Sequence, residues 1–223
     1  MSHPEIAKRS AGPVPVRTTH AKVASLYLRE RYPARRFVPL ASLLGGTGML
    51  AARGLASTTL EDAAGAWLRA ALLAYLLVLA VRVWDDLEDR EHDAPLHPRR
   101  ITVRVTSATP FLIIQGAAAA LAAVLVLTGP QPGARLLMLL VLGVVLGLWY
   151  RFRKALGAPP IAGALVVLSK YPAIAYVAAP VLWSAPSFAY ATPFLLALYV
   201  ALCVHEVLDD PALRGSFGRG SPS

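Results

Sequence analysis

The sequence predicts an all-α, polytopic transmembrane helical bundle of about six spans, and three observations predict it. Hydrophobic residues make up 56% of the 223 and charged residues only 16%, against about 25% charged in an ordinary soluble domain. Mean hydropathy is +0.54, and the apolar residues fall in long runs. The basic residues fall in the gaps between those runs, alternately dense and sparse, as topology signals do. A net charge of +9 spread in this way marks a lipid bilayer as the partner and excludes a nucleic-acid face. The single cysteine, Cys203, excludes an intrachain disulfide framework and a cysteine-based zinc site.

Residues 1–36 read as a basic cytoplasmic tail. Pro4, Pro13 and Pro15 break up residues 1–18, which carry no apolar stretch of the signal-peptide kind. From Thr19 to Tyr32, Val23, Leu26 and Tyr27 share a helical face while Lys22, Arg29 and Arg31 lie elsewhere. That segment reads either as a helix lying on the headgroups or as a solvated leader. The transmembrane domain, 37–210, holds six apolar segments at roughly 38–56, 66–84, 107–128, 135–150, 160–182 and 190–208. A span needs about 20 mostly apolar residues, which the second, third and fifth supply. Gly45, Gly46 and Gly48 interrupt the first. The fourth is short, with Arg135 snorkelling at one end and Trp149–Tyr150 anchoring the other. No alternation of the barrel-strand kind is present. Residues 211–223 read as a flexible cytoplasmic C-terminal tail.

Eight basic residues precede the first span. Arg82, Arg90, Arg99, Arg100 and Arg104 follow the second, Arg151, Arg153 and Lys154 follow the fourth, and Arg214 and Arg219 lie in the tail. The alternate gaps hold only Arg53, Arg69 and Arg135. By the positive-inside rule the expectation is a multi-pass integral membrane protein with both termini and the polar loops on the cytoplasmic side.

Chemistry is expected where the second span ends. Asp85, Asp86 and Asp89 form a DDxxD pattern and Asp93 adds a carboxylate one turn on. On a continuing helix Asp85, Asp89 and Asp93 stack along one face, where like charges repel unless a cation lies between them. An all-oxygen set of this kind suits Mg²⁺, which bridges one or two carboxylates to substrate phosphates. On the same side, the sixth span runs into His205-Glu206-Val-Leu-Asp209-Asp210, Tyr150-Arg-Phe-Arg-Lys154 offers three cations, and His97-Pro-Arg99-Arg100 follows the first acidic cluster. An ordinary charged loop neutralised by Arg90, Arg99 and Arg100 is the plainer reading of Asp85–Asp93, and a polar helix end that of Glu206–Asp210. Lys170 lies well inside the fifth span, where an ionisable group has a partner or a function, or else snorkels to the boundary. His92, His97 and His205 read as surface histidines, because the repeated HxxxH boxes of a membrane di-iron oxidase are absent. Tyr171, Tyr176 and Tyr199 line a pocket or pack the core.

With these motifs the chain resembles the UbiA superfamily of intramembrane prenyltransferases, over roughly residues 35–215. That family's N-D-x-x-D-x-x-x-D after the second span is matched by Asp85, Asp86, Asp89 and Asp93, with Asp in the place of the leading Asn. Its Y-x-x-x-K after the fourth span is matched by Tyr150 and Lys154. Its D-x-x-D-x-x-x-D after the sixth is matched in part, by Glu206 and Asp209, with Leu213 where the third acid belongs. The family has nine spans and this chain six, which fits a shortened member, one completed by a second copy or a partner chain, or a degenerate relative that no longer catalyses. The resemblance implies Mg²⁺-dependent transfer of a polyprenyl group from its diphosphate to an aromatic or other lipophilic acceptor. Asp85, Asp86, Asp89, Asp93, Glu206, Asp209 and Asp210 would hold metal. Arg99, Arg100, Tyr150, Arg151, Lys154 and Lys170 would bind substrate, with Asp85, Asp89 and Lys154 at the reacting centre. The alternative is a non-catalytic UbiA-like membrane subunit or lipid-binding protein. A phospholipid-forming alcohol phosphotransferase is set aside, since its D-x-x-D-G-x-x-A-R signature is absent.

Overall fold

The structure, a computed structural model, describes residues 19–51, 60–157, 160–178 and 185–209. The expectations for residues 1–18, 211–223 and Asp210 lie outside the described residues. Every element within them is helical: α1 (His20–Arg31), α2 (Ala34–Ala51), α3 (Leu60–Glu88), α4 (Arg90–Leu96), α5 (Ile101–Arg104), α6 (Thr109–Leu127), α7 (Pro132–Phe152), α8 (Pro160–Leu168), α9 (Lys170–Ala178) and α10 (Ala185–Asp209).

Four stretches are long and apolar enough to cross a membrane: Ala63–Glu88, Thr109–Leu127, Pro132–Phe152 and Ile161–Ala178. A shorter apolar stretch, Thr192–His205, lies in α10. Large apolar side chains cover the outside, among them Leu112, Ile113 and Leu121 on α6 and Leu137, Leu140 and Leu148 on α7. An exposed apolar surface of that extent suits lipid, not water.

The axis of the bundle is α3, which packs most extensively on α2 and α6 and also touches α9. Its sequence contains one glycine, no proline and a run of Ala, Leu and Val, all compatible with an unbroken helix. It stops at Glu88, where Asp85, Asp86 and Glu88 crowd the end of the helix at which the macrodipole disfavours negative charge. α4 follows after Asp89 alone. The Asp89 N–H still bonds the Asp85 carbonyl at 2.9 Å and the Asp93 N–H the Asp89 carbonyl at 2.8 Å, so Asp85, Asp89 and Asp93 remain successive helical turns apart although Asp93 lies on α4.

The fifth apolar segment is divided, into α8 and α9 at Ser169. Pro172 has no N–H for the carbonyl four residues back, and the Ser169 N–H is shared between the Leu165 and Val166 carbonyls at 3.3 Å each. Between α6 and α7 the chain turns through Thr128-Gly-Pro-Gln131. Gln131 adopts a left-handed φ of 50° and proline opens α7, a position where its missing N–H costs nothing.

The α1 helix packs on α6 and α5, with Val23 and Tyr27 buried. Following it, the Tyr32 ring stacks on Phe37 at 4.0 Å between centroids and meets Tyr75 edge-on at 5.0 Å. The Tyr32 hydroxyl donates to the Tyr75 carbonyl at 2.7 Å. At the α2–α3 contact Gly45 permits close backbone approach: a Cβ there would lie 2.7 Å from the Ala71 nitrogen and 3.0 Å from the Ala70 carbonyl carbon. Backbone atoms cannot swing aside as a side-chain end can. Gly45→Ala is expected to destabilise the protein by about 1–3 kcal/mol, the usual cost of overpacking. Gly143→Ala, which meets nothing within 4 Å, should not. Unfolding midpoints of the two variants in detergent check the contrast.

Candidate functional site

Asp85 and Asp86, adjacent at the end of α3, point about 100° apart around the helix and serve different neighbours. Buried Asp85 accepts hydrogen bonds from the Tyr150 hydroxyl on α7 and the Lys170 ammonium on α9. Lys170 is only 4% exposed, so its charge needs a partner inside the bundle, and the Asp85 carboxylate supplies one. The Tyr171 ring lies 5.4 Å from the same ammonium.

Asp86 faces α1. Arg31 donates to both its oxygens, from Nη2 at 2.6 Å and Nε at 3.2 Å. The Tyr27 hydroxyl donates at 2.9 Å, and Arg82, one turn back, lies 3.5 Å away. Burial first, and then the Asp86 carboxylate, push the Tyr27 hydroxyl well above its ordinary pKa. It therefore remains a donor throughout the physiological range. Arg82 keeps its Nε buried without a hydrogen-bond partner.

Asp89 lies one turn beyond Asp85 on the side turned to α7, and Arg153 Nη1 meets it at 2.8 Å. Arg153 also lies over the Tyr150 ring at 5.1 Å and donates to the Glu88 carbonyl at 3.2 Å. Asp93 is buried and paired with Arg100. Lys154 reaches Glu91 at 3.5 Å with both side chains in the open, a pair of little energetic weight. Arg99 lies exposed beside a cavity of about 510 Å³ lined also by Glu30, His97, Pro98 and Arg100.

The structure thus brings Asp85, Asp89, Tyr150 and Lys170 into one cluster, and places Asp86 and Asp93 at neighbouring ion pairs. Arg151 is exposed, whereas Arg153, three residues from Tyr150 and so on the same face, meets Asp89. Glu206 and Asp209 lie on α10, which packs chiefly on α2, α8 and α9; their side chains, like Asp210, lie outside the described residues. Among the described residues no three His, Cys, Asp or Glu side chains converge to hold a metal ion by themselves.

Sequence reasoning assigned no site role to Tyr27, Arg31 or Arg82, and it counted Arg153 only as one of three cations after the fourth span. Helical phase from Tyr150 is the signal that singles out Arg153 over Arg151. Arg82 stands four residues before Asp86, the favourable helical spacing for an ion pair. Nothing local points to Tyr27 and Arg31, whose partner is more than fifty residues away.

Beside the cluster, Ser169, next to Lys170, borders an apolar cavity of about 350 Å³ between α7, α9 and α10. Met138, Tyr176, Leu195 and Tyr199 line it too, and the Tyr199 hydroxyl donates to the Leu165 carbonyl at 2.8 Å. No protein-family model, no curated protein and no solved structure matches the chain.

Proposed function

We propose that the chain is a six-span, UbiA-type membrane protein. It binds a polyprenyl diphosphate with Mg²⁺ and passes the prenyl group to an aromatic or other lipophilic acceptor. The observation that carries this reading is the convergence on Asp85 of Tyr150 and Lys170, 65 and 85 residues away in sequence, with Asp89 and Arg153 alongside.

Mg²⁺ is commonly held by one or two carboxylates together with substrate phosphates and retained waters. Asp85 and Asp89 meet that demand in number and in chemistry. The cations that now neutralise them, Lys170 and Arg153, suit diphosphate oxygens. A ligand of both signs, metal with diphosphate, exchanges each internal pair for an external one and strands no charge in the bundle.

Mg²⁺ held by Asp85 and Asp89 would offset the charge that grows on the leaving diphosphate. The chain's own residues do the rest. Arg153, Lys154, Lys170, Arg99 and Arg100 hold diphosphate oxygens as their charge grows, and the Tyr150 hydroxyl fixes the orientation of Asp85. The apolar cavity between α7, α9 and α10 takes the prenyl chain and keeps water from the allylic cation. Both termini and this cluster lie on the cytoplasmic side in this reading.

A second reading, a non-catalytic UbiA-like subunit or lipid-binding protein, is favoured by one observation: each of the four aspartates already has a cationic partner. Binding of labelled geranylgeranyl diphosphate to purified protein separates the two. The enzyme reading expects saturable binding with Mg²⁺, loss of that binding in EDTA, and loss again in Asp89→Asn. Binding indifferent to metal and mutation favours the second reading.

A further inference from the structure

A second cluster of charge lies at the opposite end of the bundle. Arg69 precedes Asp85 on α3, and Arg135 precedes Tyr150 on α7; at 1.5 Å per residue both separations come to about 22–24 Å. Arg135 is 2% exposed. Its Nε donates to the Val177 carbonyl at 2.8 Å and its Nη1 to the Pro130 carbonyl at 3.5 Å. Arg69 donates from Nη2 to the Leu125 carbonyl at 2.8 Å and to the Thr128 hydroxyl at 2.7 Å. All four acceptors are neutral, and neither arginine forms an ion pair among the described residues.

The two guanidinium groups meet at Gly129. A Cβ on that residue would lie 2.5 Å from Arg135 Nη1 and 3.5 Å from Arg69 Nη2. Around them is a pocket of about 250 Å³, bordered also by Thr128, Pro130 and Ala178. That is below the roughly 300–1,000 Å³ of a typical organic-ligand site. Part of the charge is offset by the last carbonyls of α6 and α9, since a helix C-terminus carries roughly half a negative charge. Two such ends against two guanidiniums leave roughly one positive charge uncompensated. The segments joining α2 to α3 and α9 to α10 contain no acid; the acids next along α3 are Glu61, which is exposed, and Asp62, about 10–12 Å from Arg69 along the helix axis.

We propose that this pocket is a phosphate-binding site, separate from the Asp85 cluster, in which Arg69 and Arg135 share the oxygens of one phosphate group. Guanidinium forks fit phosphate in paired hydrogen bonds, and a bound anion removes both the burial cost and the mutual repulsion of two like charges. The phosphate belongs either to a lipid headgroup or to a free anion.

The test uses full-length protein in detergent, with EDTA present and no prenyl diphosphate, so that it does not depend on the transferase reading. Unfolding midpoints are followed against inorganic phosphate at constant ionic strength, and against added phosphatidylglycerol or phosphate-free monogalactosyl diacylglycerol. A saturable rise with inorganic phosphate identifies a free anion. A rise with phosphatidylglycerol alone identifies a headgroup. In either case Arg69→Gln is expected to weaken the effect about 10-fold to 100-fold, the worth of one or two hydrogen bonds to a charged group. Gly129→Ala, which keeps both charges and fills the space between them, should do the same. No saturable rise with either phosphate probe, or an equal rise in both variants, overturns the proposal.

Discussion

Asp85→Asn unfolds roughly 6–20 °C below the wild-type protein, the largest stability change expected of any single substitution in the bundle. The carboxylate and the Lys170 ammonium are both nearly inaccessible to solvent, and removing one member of such a pair leaves the other charged in an apolar interior. That costs about 3–5 kcal/mol, and in a protein of this length each kcal/mol moves the midpoint by roughly 2–4 °C. Lys170→Met should cost a similar amount for the mirror-image reason. The double variant Asp85→Asn, Lys170→Met should recover most of the loss, because no unpaired charge remains and the amide oxygen still accepts from Tyr150. Buried pairs replaced together by neutral groups are often no less stable than the original. Midpoints of the two single variants and the double variant, measured in one detergent, give the coupling directly. Additive losses would mean that the two groups do not neutralise each other. The double variant also separates fold from function, since on the prenyltransferase reading it remains folded and binds no prenyl diphosphate.

That pair shows how far the sequence carries. The apolar runs are long enough to declare helices without reference to anything else, which is why the segments around 66–84 and 107–128 correspond to α3 and α6. Asp85 and Lys170 each stood out alone, one by its acidic neighbours and one by its cost inside an apolar segment. Their pairing across 85 residues follows from how α3 and α9 pack, which no local pattern encodes. The break at Ser169 was legible in principle from Pro172, since a missing N–H frees a carbonyl four residues back. The role of α1 was not, because a short helix with charges on several sides has the same composition whether it floats at an interface or docks. What docks it is Tyr27 against Phe111, at 5.5 Å between ring centroids, together with Arg31 and Tyr27 on Asp86.

Arg153→Gln is expected to slow Mg²⁺-dependent release of diphosphate from geranylgeranyl diphosphate, with an aromatic acceptor present, about 100-fold or more. Its unfolding midpoint should stay within about 4 °C of the wild type. The two expectations rest on different physics. Arg153 and Asp89 are both partly open to solvent, and a pair of that kind contributes at most about 1 kcal/mol to stability. A donor aimed at charge that develops in the transition state contributes far more to rate, about 100-fold to 1,000-fold when one is removed. Arg151→Gln is the internal control. It lies two residues away with the same charge, but it is turned outward on α7 and exposed, so its loss should change the rate less than about threefold, the range of general screening effects. Net charge alone would make the two variants equal; position relative to Asp85 and Asp89 makes them differ. If the wild type releases no diphosphate with any acceptor, or if Arg153→Gln and Arg151→Gln release it equally fast, the ion pairs at the end of α3 are there to hold α3, α7 and α9 together. The non-catalytic reading then stands.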